Sequence, residues 1–180
     1  MRIVALGALA ALTLTSMGAA GAARAEVVET NAQGFRLKSV LQIKAPPARV
    51  YQAIGEIGRW WDGAHSYSGK AENITLPLQA NACWCETIPG GGSVRHGVVV
   101  LAWPEQGMIR ADAALGPLQD EGVTGALYFQ IKPKDDGSEL TVTYNVGGVR
   151  DFTLKAAPVV DGVLNGGWAR LKRYVETGKP

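Results

Sequence analysis

The 180-residue chain predicts an α+β domain in which a curved antiparallel sheet is closed by one long C-terminal helix. Three observations predict it. Residues 35–43 alternate apolar and polar side chains with period two, the mark of a half-buried strand. From Ala71 to Val146 short β-type runs follow one another through Gly- and Pro-rich turns, which implies an antiparallel meander. After Pro158 the apolar residues step by three and four instead, as on one face of a helix.

The chain opens with Met1-Arg2, a short basic start, followed by the uncharged stretch Ile3–Ala20 and the Ala-x-Ala peptidase site Ala23-Arg24-Ala25. These are the parts of a secretory signal peptide, so residues 1–25 are expected to be removed and 26–180 to form one domain. Gly7, Gly18 and Gly21 dilute the apolar run and weigh against a retained membrane anchor. The expected location is periplasmic or secreted. Loss of Arg2 and Arg24 leaves 16 basic against 16 acidic residues. A neutral domain has no long-range field to gather nucleic acid or anionic lipid, so neither is an expected partner. Its longest uncharged apolar run, Val98–Trp103, is too short for a membrane span in the mature protein.

In that domain Phe35, Leu37, Ser39, Leu41 and Ile43 form one face of the first strand, and Pro46-Pro47 ends it and suits a helical first turn. Val50, Tyr51, Ile54 and Ile57 recur at helical spacing, with Gly55 and Gly58 dividing the segment before Arg59-Trp60-Trp61-Asp62-Gly63 closes it. Strands are then expected at Ile74–Leu78, Ala82–Ile88, Val94–Trp103, Met108–Leu115, Val123–Ile131 and Glu139–Val146. In the last helix Val160, Val163, Leu164, Trp168, Leu171, Tyr174 and Val175 make the apolar stripe, with Pro158 at the start and Gly178 past the end. Gly162, Gly166 and Gly167 each cost roughly 1 kcal/mol inside it relative to Ala, which signals close packing or open space beside the helix. Gly166 is assigned to the sheet-side edge. That stripe is the one large apolar surface able to cover the sheet, so a sheet of about six or seven strands should curl around it.

Motifs in the same order give a resemblance. The run IKAPPARVYQAIGEIGRWWDGAHSYSG from Ile43, AALGPLQ at Ala113–Gln119 and VDGVLNGGWARLKRYVETG from Val160 resemble the START-like (SRPBCC) superfamily, the polyketide cyclase/dehydrase and lipid-transport group. The last two are similar to an exported bacterial subgroup. The resemblance implies the helix-grip fold and a cavity between sheet and long helix. It does not decide function, because this fold carries both enzymes and carriers.

Candidate cavity residues are Trp60, Trp61, Trp103, Tyr128, Tyr144, Leu164 and Trp168, large side chains near expected openings or inward faces. Each has a plainer reading as core packing. His96 is placed on an apolar face with Val94, Val98 and Val100, and the neighbouring strand offers Arg110 and Asp112. Converged, the three could orient a ligand carbonyl or act as an acid–base set; otherwise Arg110 and Asp112 form an exposed ion pair. His65 is placed on a solvated loop.

Cys83-Trp84-Cys85 puts two sulfurs on one strand face and Trp84 with Glu86 on the other. A disulfide, two free thiols and half of a metal site with His65, His96 or Glu86 all remain open. Extended i, i+2 positions lie about 6.7 Å apart, so a disulfide here requires a bend. No second paired motif is present, so no metal site is expected, and no cofactor either. There is no nucleophile elbow and no phosphate or dinucleotide loop.

Three functions follow. The first is an exported carrier holding a small apolar or amphipathic molecule. The second is a cyclase- or hydratase-type enzyme using His96, Arg110 and Asp112, and the third a filled-core interaction domain. Whether the protein is an enzyme stays open at this point.

Overall fold

A computed structural model describes residues 24–148 and 151–180. The expected signal peptide lies outside the described residues, apart from the backbone of Arg24 and Ala25. One eight-stranded antiparallel sheet forms, in the order β1-β2-β8-β7-β6-β5-β4-β3. The strands are β1 (Arg24–Asn31), β2 (Gly34–Ile43), β3 (Ile74–Thr75), β4 (Cys83–Ile88), β5 (Gly92–Trp103), β6 (Met108–Asp112), β7 (Thr124–Lys134) and β8 (Gly137–Gly147). Helix α1 (Pro47–Gly55) follows β2, and α2 (Asp151–Thr177) ends the chain. The architecture is α+β and consistent with the helix-grip fold.

The alternation read at 35–43 is real, since Phe35, Leu37, Leu41 and Ile43 are buried together with Ser39. Pro46 precedes α1 and Pro47 opens it, where a missing N–H costs nothing. The helix stops at Gly55 and a separate 3-10 turn, Ile57–Arg59, carries the chain to the tryptophans. A side chain at Gly58 would meet the Ile74 and Ala71 carbonyls at 3.0 and 3.1 Å, so the glycine lets this turn lie against the β3 segment.

Two expectations need correction. Helix α2 begins at Asp151, and Pro158 sits inside it rather than at its start. Its ring removes one helical hydrogen bond, to the carbonyl of residue 154, but the remainder of a 27-residue helix absorbs that loss. The packed glycine is Gly167, not Gly166. A Cβ on Gly167 would collide with the Trp61 ring, whereas Gly162 and Gly166 face open space. Gly166→Ala should therefore raise stability by about 0.5–1 kcal/mol in chemical denaturation. Gly167→Ala should lower it, because Trp61 must move to admit the methyl group.

The stripe of α2 meets the sheet through Trp168, 2% exposed, whose ring lies 5.4 Å from that of Phe129 on β7 and 6.0 Å from that of Trp60. Arg170 fastens the same end of the helix by donating to the Trp60 and Trp61 carbonyls at 2.8 and 3.3 Å. This end of the sheet–helix sandwich is solid.

Candidate functional site

The other half of α2 stands away from the sheet over a cavity of about 550 Å³. Its walls are Ala156, Val159, Val160, Val163 and Leu164 of α2, Leu115–Leu118 after β6, the Trp61–Tyr67 loop, and Ile74, Trp84 and His96 of the sheet. Both loops are pinned. The buried Tyr144 hydroxyl donates to the Ala113 carbonyl at 2.9 Å and accepts from the Leu115 amide at 3.1 Å. Burial pushes this phenol well above its ordinary pKa, so it stays protonated and keeps donating. In the Trp61–Tyr67 loop the Trp61 indole donates to the His65 carbonyl at 2.9 Å, and Asp62 caps the turn by accepting from the Ala64 amide at 3.0 Å. Val159 and Tyr67, 67% and 53% exposed, mark the rim, with exposed Lys155 beside them.

Strands β4 and β5 supply the polar wall. Cys83 and Cys85 are joined by a disulfide with Cα atoms 5.3 Å apart. The strand bends there, where Trp84 pairs with Gly97 but Cys85 with Arg95, leaving His96 as the extra residue of a β-bulge. The sulfurs lie on the half-buried face, and Trp84 and Glu86 point inward. Glu86, 1% exposed, accepts from the Tyr67 amide at 3.2 Å and the Ser68 amide at 2.5 Å, and lies 3.0 Å from His96 Nε2. His96, 9% exposed, sits between the rings of Trp84 and Tyr67 at 5.8 and 6.1 Å.

Burial alone would raise the Glu86 pKa. Hydrogen bonds from the Ser68 side chain and amide, the Tyr67 amide and His96 outweigh it and hold the carboxyl below its ordinary range. The folded group thus binds its proton less readily than the unfolded one, so its stabilisation is full above the ordinary carboxylate pKa. It is lost as pH falls through the depressed folded value. Glu86→Gln should consequently flatten the acid limb of the stability–pH curve measured by chemical denaturation. Some slope should remain from Glu56 and Glu139, which are also depressed.

The structure brings together only some of the candidate residues. Trp61 and Leu164 line the cavity, as does His65. Trp60 and Trp168 are packed in the core, and Tyr144 serves as the brace of the 113–115 segment. Trp103 is half exposed at the end of β5, and Tyr128 lies under Arg110, whose guanidinium is 5.5 Å from its ring centre. His96 does not converge with Arg110 and Asp112. Both are exposed on β6, while Ile109, Ala111 and Ala113 take the inner face. Two register shifts in β5 move its parity, which buries Val99 and exposes Val100, the residue expected beside His96. The partner of His96 is Glu86, across the β4–β5 pair. The signal for it was present, because a carboxylate alternating inward with Trp84 must find donors.

Comparison with known proteins shows the family. The family model described as polyketide cyclase / dehydrase and lipid transport matches residues 34–176, from β2 through α2. The chain belongs to this family. No curated protein matches it. Among solved structures, the family chain is similar to protein MLL2253 from Mesorhizobium loti at 13% identity and TM-score 0.59, covering 81% of this chain and 99% of that one. A Rhizobium leguminosarum protein matches at 17% identity and TM-score 0.59, covering 87% and 99%. DynU16, a protein of the dynemicin biosynthetic locus, matches at 16% identity and TM-score 0.59, covering 81% of this chain but 48% of its own length. At such identities these likenesses show the family fold alone. Among the described residues no group of side chains could hold a metal ion, and no helix is long and apolar enough to cross a membrane.

Proposed function

We propose that this chain is an exported binding protein holding one small apolar or amphipathic molecule between its sheet and the first half of α2. The cavity carries this reading. Its volume of about 550 Å³ and its apolar walls suit a single small ligand. The family's lipid-transport description agrees with it, and a filled-core interaction domain would not leave such space. The signal-like start and the Cys83–Cys85 disulfide both favour export to an oxidising compartment. Titration with an apolar fluorescent dye should give saturable binding at one site per chain. Affinity should hardly depend on salt, since residues 26–180 carry no net charge. If a broad panel of apolar dyes and lipids all fail to bind, the reading is wrong.

The buried Glu86–His96 pair, whose histidine lines the cavity, favours one second reading, an enzyme of the cyclase or hydratase kind. In that case His96→Ala would leave ligand binding nearly intact and abolish turnover.

A further inference from the structure

We infer that His96 makes the cavity selective for apolar molecules bearing a hydroxyl donor (a phenol, an enol or an alcohol) over the same molecules bearing only acceptors. The inference rests on the cavity being a ligand site and names what that ligand must carry.

The argument begins at Glu86. Its two oxygens accept from the backbone amides of Tyr67 and Ser68, and an amide N–H can only donate. The carboxylate is therefore committed as an acceptor, and the hydrogen bonds it receives keep it ionised. Its remaining partner, His96 Nε2 at 3.0 Å, must supply the proton. When Nε2 carries the only ring proton, Nδ1 is left with a lone pair. No described residue bonds to Nδ1. Nor is it sealed off, since among the described residues the enclosed side-chain atoms without partners are Tyr51 Oη, Trp84 Nε1 and Asp161 Oδ1. The open space that His96 borders is the cavity.

Of the other polar groups nearby, the Trp84 indole N–H also lacks a partner, but it is a donor that a hydroxyl and an ether oxygen satisfy alike; the rest are occupied or peripheral. Ser66 donates to the Gly63 carbonyl at 2.8 Å, the Trp61 indole is bound to His65, and Lys155 and His65 are exposed. An apolar ligand entering this space meets an acceptor polarised by a buried carboxylate. A hydroxyl satisfies it; an ether oxygen at the same place sets lone pair against lone pair.

The test compares para-phenylphenol, its methyl ether and biphenyl by calorimetric titration at neutral pH. Wild type should bind the phenol about tenfold or more tightly than the ether. His96→Phe should bring the two within about twofold while still binding biphenyl. Nitrogen NMR of the imidazole should show Nδ1 unprotonated in the free protein and shifted by the phenol but not by the ether. This readout is independent of the variant and decides the matter if His96→Phe does not fold. Equal affinities in wild type, a preference for the ether, or a proton on Nδ1 would each overturn the donor rule while leaving the binding reading intact. If none of the three compounds binds, that reading fails as well.

Discussion

Trp168→Ala should destabilise the protein by about 3–5 kcal/mol in equilibrium chemical denaturation. The indole is 2% exposed and closes a cluster with Trp60, Trp61 and Phe129. Trp60 donates to the Ala53 carbonyl at 2.7 Å and Trp61 to that of His65, so neither neighbour can turn freely to refill the space. The cost is then the lost transfer energy of the ring plus that of the void. A loss below about 1.5 kcal/mol would mean that Trp168 borders open volume rather than packed atoms.

The opposite result is expected two turns earlier on the same helix. Val160→Trp combined with Val163→Trp puts bulk into the cavity from half-buried positions on its wall. Dye affinity should fall at least tenfold, and unfolding free energy should change by no more than about 1 kcal/mol, because the added rings enter space that holds no protein atoms. Affinity that survives the double substitution would locate binding elsewhere. Together the two experiments separate the half of α2 that holds the fold from the half that shapes the cavity.

Much of this architecture is legible in the residues. Phe35–Ile43 alternates because one sheet face is buried, the turns announce themselves through Gly and Pro, and the α2 stripe persists over many turns. Strand β1 escaped because it is an edge. Its side chains are mostly exposed and a register shift between Val27 and Glu29 breaks its alternation, so no period survives to be read. The start of α2 was misplaced because proline favours a first turn, and that preference hid Lys155, Ala156 and Val159, which line the cavity. The pairing of His96 was missed for a more local reason. Parity assumes an unbroken ladder, and β5 departs from it twice. His96 also lies beyond the last paired residue of β6, where Asp112 meets Val98, so its neighbour comes from β4.

The disulfide has a consequence of its own. Cys83 and Cys85 occupy the face of β4 opposite Trp84 and Glu86, so one short stretch of backbone is tied from behind while it sends these two side chains inward. The covalent tie takes no volume from the ligand. A reductant or oxidant approaching the half-buried sulfurs does so from the outer surface, without passing through the cavity or displacing what fills it. Thiol chemistry and ligand occupancy thus have separate doors, and either can change while the other stays as it is.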